Sequence, residues 1–246
     1  MCFADDTVIL HQINSNSDLN SFKTCINDVR NWFQNNHLSI NAGKCGLLNF
    51  HLRNNFFSSS SLNLINSPFS FQSHYKYLGL IMESNMKFSM QFLKLKNRLN
   101  QSYFLIRKLS FYIPRPILSK LYLTYVLPIL EYCNINYFLS NLSMLRKINS
   151  INNHILSMTD LNIDFYSIYF RLFLSFCQFI YKIANGSLPD HFNIFIKSSR
   201  NTRFRVNTPL VRLSAFKCSY YYTCTNLINL LSSNSISFND PFHFQK

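Results

Sequence analysis

The chain is poor in glycine, in acidic residues and in closely spaced cysteine pairs. Its 246 residues include only 4 glycines and 7 prolines, which disfavours all-β folds built from many tight turns and favours helices with some strands. Its 7 cysteines form no CxxC pair, so neither a zinc ribbon nor a disulfide framework is indicated. Reduced thiols in an intracellular protein, nuclear or cytoplasmic, are the simpler expectation.

Metal-binding and membrane signals are equally scarce. The spacing of Cys218, Cys224 and His243 fits no common metal template. The first residues run directly into two aspartates, without the basic start and apolar run of a secretory signal. The most apolar stretch, 165–183, contains Arg171, and its uncharged part is only about ten residues against the roughly 20 that a membrane span needs. We therefore predict a buried helix there and no membrane segment.

Positive charge is abundant. There are 24 Lys and Arg residues against 10 Asp and Glu, which gives a formal net charge of +14. Such an excess suits a polyanion, either a nucleic acid or an acidic membrane surface, although biased codon usage produces the same composition. Hydrophobic residues make up 48% of the chain, enough to fill a core rather than leave it disordered.

Two adjacent carboxylates, Asp5 and Asp6, stand near the start of the chain. An apolar run enters them and a β-branched run leaves them, which predicts a hairpin with both acids at its tip. Neighbouring carboxylates repel each other, and divalent cations relieve that repulsion. The pair is therefore a candidate ligand set for metal-dependent phosphoryl transfer, with a solvated Asp-Asp turn as the alternative.

Hydrophobic periodicity divides the rest of the chain. Helical spacing of Phe22, Ile26, Val29 and Phe33 predicts a helix that begins with Ser17 as its N-cap. Strands are predicted at 46–52, 62–65, 69–71 and, most strongly, 75–82. Helices are predicted from Phe88 to about residue 109, from Pro114 to Pro128, and over 142–158 and 165–183. The apolar residues that mark one face of the first of these helices, and so predict its buried side, are Phe92, Leu95, Leu99, Tyr103, Ile106 and Leu109.

The acidic pair and three later blocks together resemble the reverse transcriptases of non-LTR, jockey-like retrotransposons. Phe3-Ala4-Asp5-Asp6-Thr7 resembles the F/Y-A-D-D box of these enzymes. The next block, a helix ending in Trp followed by N-x-L-x-x-N and a lysine, is matched by Trp32, Asn36, Leu38, Asn41 and Lys44. Tyr77-Leu78-Gly79 then resembles the Y-L-G hairpin, and the helical stretches 96–109, 121–137 and 145–158 resemble the thumb.

The resemblance implies an α+β fold in three parts. Residues 1–85 would form a partial palm with the F-A-D-D hairpin and a primer-grip-like hairpin. Residues 86–159 would form a helical thumb-like region, and residues 160–246 a C-terminal helical region with a basic, poorly ordered tail. The implied activity is RNA-directed DNA polymerisation with Mg²⁺, template RNA, primer DNA and deoxynucleotides.

The resemblance also implies roles for individual residues. Asp5 and Asp6 would bind the metal, and Lys44 would lie near the incoming nucleotide as an acid for leaving pyrophosphate. Tyr77, Leu78 and Gly79 would grip the primer end. The cations expected to face the template–primer backbone are Lys96, Arg98, Arg107 and Lys108. Each role has a structural alternative. Lys44 could be an ordinary surface lysine, Tyr77 and Leu78 could be core strand residues, and the four cations could form a solvated helix face.

Departures from the family pattern limit the expected activity. The family carries a further catalytic aspartate and the fingers upstream of the dyad, and no match to them precedes Phe3 here. The late W-N-x-L-P pattern is degraded at 228–232. Because two metal ions need ligands from more than one strand, we expect this polypeptide to be inactive alone. The alternatives are a non-enzymatic basic nucleic-acid-binding module, a metal-dependent nuclease and a non-functional relic. Oligomeric state stays open.

Overall fold

The computed structural model places short strands before and beside a set of helices, so the chain is α+β, as predicted. It describes residues 2–3, 6–50, 69–189, 222–223, 225–227 and 229, with side chains from Asp6 onward. The chain divides into two compact units, residues 1–75 and 76–246. The predicted divisions near residues 85 and 159 stay predictions.

Helix α1, Asn16–Asn35, dominates the first unit. It begins with a reciprocal capping box, in which Asp18 N donates to Ser15 Oγ at 3.3 Å and Ser15 N donates to Asp18 Oδ2 at 3.0 Å. Backbone hydrogen bonds to the carboxylate, first that from Asn14, lower the pKa of Asp18. The prediction of Ser17 as the N-cap was therefore wrong by two positions, because the cap is chosen by the partner three residues later.

The C-terminal end of α1 closes through a residue in the left-handed conformation. His37 has φ 54°, its N–H bonds to the Gln34 carbonyl, and Leu38 N–H bonds to the Phe33 carbonyl at 2.9 Å. These two bonds are those of a Schellman motif, usually built with glycine. The chain therefore changes direction sharply at His37, between the end of α1 and the segment that leads to Lys44.

The strands of the first unit are short. Strand β1, Cys2–Phe3, pairs antiparallel with β2, Asp6–Thr7, so a tight hairpin does form. A 3₁₀ turn at Ala42–Lys44 leads into β3, Gly46–Leu48, which pairs in parallel with β4, Ser70–Gln72. The predicted strand 46–52 ends early at Leu48, and the predicted strand 62–65 lies outside the described residues.

A second hairpin joins β5, His74–Tyr77, to β6, Leu80–Glu83. The pattern-based prediction of one strand over 75–82 was wrong, because Leu78 and Gly79 form a turn inside it. A continuous run of β-favouring residues conceals a two-residue turn when only one of them is glycine.

Helix α2, Ser89–Leu109, is the longest helix among the described residues of the second unit, and its predicted buried face is confirmed. The buried side chains on it include Phe92, Leu95, Leu99 and Ile106. Its N-terminus is capped by buried Glu83, whose carboxylate oxygens accept from Met90 N at 2.6 Å and Ser89 N at 3.1 Å. A carboxylate at that end also suits the helix dipole.

The predicted helix 114–128 does not end at Pro128. Helix α3, Arg115–Leu121, continues through a π-helical turn, Tyr122–Val126, into α4, Leu127–Glu131. Leu127 N–H reaches the Tyr122 carbonyl, five residues back. A proline removes one backbone donor and clashes with the preceding turn, and the widened turn accommodates both effects.

Two long helices complete the packed core. A short helix, α5, spans Asn134–Tyr137. Helix α6, Leu142–Leu156, packs against α2, and helix α7, Ile168–Ala184, packs against α6. The helix predicted at 165–183 is thereby confirmed as α7, although it begins three residues later, at Ile168, and only one face of it is buried. Gly186, with φ 64°, closes α7 in a second Schellman motif. Among the described residues, no helix combines the length and apolar character needed to cross a membrane.

Several polar side chains inside this core are paired with one another or with the backbone. Tyr122 Oη donates to Asn152 Oδ1 at 2.9 Å, and Asn152 Nδ2 donates to the Tyr166 carbonyl at 3.0 Å. Arg171, the cation within the apolar stretch, forms an ion pair with Glu131, with Nε 2.6 Å from Oε1. Pairing of this kind lets polar groups be buried without losing their hydrogen bonds, and it fixes how the helices meet.

Candidate nucleic-acid interface

The β5–β6 turn adopts an unusual backbone conformation. Leu78 has φ 44° and Gly79 has φ 87°, so both central residues lie in the left-handed region. Two-residue hairpin turns often adopt this conformation because it matches the twist of the flanking strands. The residues usually found in such turns are Asn-Gly, whereas this turn has Leu-Gly. A leucine there costs roughly 1–2 kcal/mol relative to a right-handed conformation. Contacts from elsewhere in the unit must therefore hold the turn.

Two side chains from helices supply those contacts. Tyr132, just after α4, donates its hydroxyl hydrogen to the Leu78 carbonyl, and Lys94 Nζ on α2 donates to the Gly79 carbonyl at 3.0 Å. The turn of the predicted Tyr77-Leu78-Gly79 block is thus fastened to the helical part of the unit. Sequence reasoning assigned neither partner this role, because nothing local links Tyr132 to a turn far earlier in the chain.

Replacing Gly79 with alanine is expected to destabilise the second unit by about 2 kcal/mol. The strain comes from two sources, the positive φ and a Cβ that would lie 3.3 Å from Tyr132 Oη. Gly186→Ala is the matched control, because φ there is also positive but no atom lies within 4 Å. Urea unfolding followed by circular dichroism should show the larger loss at Gly79. Equal losses would mean that the Tyr132 contact contributes nothing.

Cations surround the turn. Partial burial, then the neighbouring charges of Arg98 and Lys76, lower the pKa of Lys94. Lys94 and Arg98 lie one helical turn apart on α2, and Lys76 precedes the turn on β5. Lys76 and Arg98 are exposed, so both can meet a ligand from solvent. We call Lys76, Lys94 and Arg98 the turn cluster.

The four cations predicted from sequence do not form a single stripe. Arg98 belongs to the turn cluster, whereas Lys96 and Arg107, about three helical turns apart, lie on the opposite flank of the exposed face of α2. Lys108 lies between the two flanks. Arg107 and Lys108 also stand in the last turn of the helix, where positive charge suits the dipole.

Acidic residues are absent from the stretch that contains α2 and α3. No Asp or Glu occurs between Glu83 and Glu131, while eight cations do: Lys87, Lys94, Lys96, Arg98, Arg107, Lys108, Arg115 and Lys120. The two bordering glutamates are themselves engaged, Glu83 by the α2 N-terminus and Glu131 by Arg171. The positive potential of this stretch is therefore not cancelled by carboxylates within it.

The first unit holds the other predicted site residues. Asp6 is exposed on β2, and Asp5 lies outside the described residues. Lys44 is exposed at the end of the 3₁₀ turn, and its carbonyl accepts a hydrogen bond from Tyr75 Oη. Burial, then the charges of Cys45 and Asp6, raise the pKa of the Tyr75 phenol. The structure thus brings Asp6 and Lys44 to the same tyrosine, which sequence reasoning missed.

The described donors do not by themselves make a magnesium site. Asp6 contributes one carboxylate, and no group of three or more His, Cys, Asp or Glu side chains able to hold a metal occurs in the part of the chain that the structure describes. The predicted partner Asp5 and the weaker set of Cys218, Cys224 and His243 lie outside that part. No catalytic step through a metal can be derived from these residues.

Comparison with known proteins gives no relative. No protein-family model, no curated protein and no solved structure matches the chain.

Proposed function

We propose that the chain is part of a non-LTR retrotransposon reverse transcriptase and that its second unit binds the backbone of a template–primer duplex. The observation that carries the proposal is the turn cluster. Lys94 donates to the Gly79 carbonyl in the turn of the Tyr77-Leu78-Gly79 block, and Lys76 and Arg98 lie close enough to Lys94 to act on its charge. Lys94 and Arg98 also belong to a stretch that has no acidic residue.

The electrostatics favour a polyanionic ligand. Partial burial, and then repulsion from the charges of Arg98 and Lys76, lowers the pKa of Lys94, so these three cations lie close enough to repel one another. Phosphate groups relieve such repulsion, and the release of their condensed counterions drives binding without regard to base sequence. Arg98 adds a planar donor that bonds a phosphate through two N–H groups.

The polymerase part of the proposal rests on the order of the blocks in the sequence. In the intact parent enzyme, Asp5 and Asp6 would bind Mg²⁺, and Lys44 would act near the incoming deoxynucleotide. The neighbourhood of Asp6, Lys44 and Tyr75 in the first unit supports this reading. Two metal ions need ligands from more than one strand, and Asp5 and Asp6 are adjacent in the sequence, so we expect these 246 residues by themselves to bind a primed template without extending it.

Binding and extension assays with one set of proteins test both parts. Filter binding of an RNA–DNA duplex over a salt series should show affinity that falls steeply with salt for the wild type and for Asp5→Asn/Asp6→Asn alike. Asp160→Asn/Asp164→Asn is the matched control, since it removes the same two charges from exposed positions. Weak binding that ignores salt would refute the nucleic-acid proposal.

Primer extension separates the polymerase from its rivals. With Mg²⁺ and deoxynucleotides, we expect no product from the isolated polypeptide. Product that disappears in Asp5→Asn/Asp6→Asn but not in the control would refute inactivity and establish the polymerase. Duplex cleavage with the same dependence would indicate a nuclease. Salt-dependent binding in which the aspartates never matter, even after a complementing upstream palm segment is supplied, would indicate a non-enzymatic binding module.

A further inference from the structure

Three large aromatic side chains near the C-terminal end of α2 and in its connection to α3 are exposed to solvent. The exposed fractions are 64% for Phe104, 77% for Phe111 and 81% for Tyr112. No other large hydrophobic residue among the described ones is as exposed as Phe111 and Tyr112, and the next is Leu10 in the other unit, at 70%. Exposure of neighbouring aromatic rings to water is unfavourable, and exposed apolar patches of this kind commonly mark a site where a ligand binds.

The backbone that carries these rings is hydrogen-bonded. Tyr112 N–H and Ile113 N–H both donate to the Leu109 carbonyl at 2.9 Å, and Ser110 Oγ donates to the Arg107 carbonyl at 2.8 Å. Ile113 is partly buried and packs against the core, which anchors the connection from inside. Phe111 and Tyr112 are thereby displayed by a tied turn, which lowers the ordering cost of binding.

Cations alternate with the rings. Arg107 and Lys108 lie one helical turn after Phe104 on α2, and Arg115 begins α3 just beyond Tyr112. All three cations are exposed, and no acidic residue lies within this stretch of the sequence. We call Phe104, Arg107, Lys108, Phe111, Tyr112 and Arg115 the aromatic–basic corner.

We propose that the aromatic–basic corner binds unpaired nucleotides of a single-stranded nucleic acid. Rings stack on exposed bases while arginine and lysine meet the phosphates, a combination that tolerates any sequence. A duplex keeps its bases stacked on each other and offers these rings nothing to stack on. The inference rests on the proposed function for the nature of the ligand, and it adds a second site with a preference for the unpaired strand, separate from the turn cluster.

The test measures a short mixed-sequence RNA strand and an RNA–DNA duplex side by side, by fluorescence anisotropy with the full chain. Phe111→Ala/Tyr112→Ala should weaken binding of the single strand about 10-fold or more, leave the salt slope unchanged, and leave duplex affinity within about twofold. Phe111→Tyr/Tyr112→Phe keeps both rings and should retain single-strand affinity. These side chains are exposed, so circular dichroism should show an unchanged fold.

Tyr169→Ala/Phe173→Ala is the matched control, since it removes two exposed aromatic rings, 46% and 41% exposed, from α7. Equal weakening in that control, or none in Phe111→Ala/Tyr112→Ala, would overturn the proposal. So would tight binding to anionic phospholipid vesicles that depends on Phe111 and Tyr112 when single-strand binding does not. If the duplex binds but single-strand binding does not depend on Phe111 and Tyr112, this inference alone is refuted. If the single strand binds but the duplex does not, only the proposed duplex function is refuted.

Discussion

We expect the Lys76→Gln/Arg98→Gln variant to bind an RNA–DNA duplex about 30-fold more weakly than the wild type at about 0.15 M salt. Each phosphate contact contributes about 0.9 to the slope of log affinity against log salt, so the slope should fall by about 1.8. Both residues are exposed and lie close enough to Lys94 to lower its pKa. Their removal takes charge from the turn cluster and leaves the Lys94 bond to the turn in place.

The chain offers a matched control on another helix. Arg146 and Lys147 are also one arginine and one lysine, both exposed, on α6. Arg146→Gln/Lys147→Gln lowers the net charge by the same amount, so it reports how much affinity net charge alone provides. We expect a loss of no more than about threefold, with a nearly unchanged salt slope. If the two variants lose affinity equally, binding follows total charge and the turn cluster is not an interface.

Replacing Phe92 with alanine is expected to destabilise the second unit by about 3–5 kcal/mol. The Phe92 side chain is 0% exposed, and its ring lies 5.5 Å from that of Tyr137 and 6.2 Å from that of Phe138. The loss combines transfer of the ring from water, the cavity left behind and the aromatic contacts. Since a domain is stable by only about 5–15 kcal/mol, this variant should unfold at far lower urea concentration.

Leu93→Ala on the same helix is the control for this change. Leu93 follows Phe92 directly but is 48% exposed, so alanine there should cost no more than about 0.5 kcal/mol. Urea unfolding monitored at far-ultraviolet wavelengths compares the two variants with the wild type. A Phe92→Ala protein as stable as Leu93→Ala would show that α2 does not pack as described.

These two predictions concern opposite sides of one helix. The side that includes Phe92 is buried against α6, and the exposed face carries Arg98 and the other cations along its two flanks. Because burial fixes the rotation of α2, the positions of Lys94 and Arg98 beside the hairpin turn follow from the packing of their neighbours. A destabilised core should therefore weaken duplex binding too, and binding data on Phe92→Ala are meaningful only where that variant is folded.

The long helices α1, α2, α6 and α7 were determined by the sequence itself. The spacing of Phe92, Leu95 and Leu99 indicated both the existence of α2 and its buried face, because a helix places residues of that spacing on one side. The apolar stretch around Arg171 was predicted as a buried helix because its uncharged part is too short for a membrane span, and it contains α7. The excess of positive charge on α2 was also plain from the sequence, since it depends on composition alone.

Only the tertiary structure decided how these elements form a site. The left-handed turn at Leu78 and Gly79 is held by Tyr132, from a distant part of the chain, and by Lys94 on α2. The approach of Lys76 on β5 to Lys94 on α2 likewise depends on how α2 packs beside the hairpin. Periodicity indicates which side of a helix or strand is apolar, but it does not indicate which distant side chains will contact that element. The candidate site consists of such contacts, so only the tertiary structure could show it.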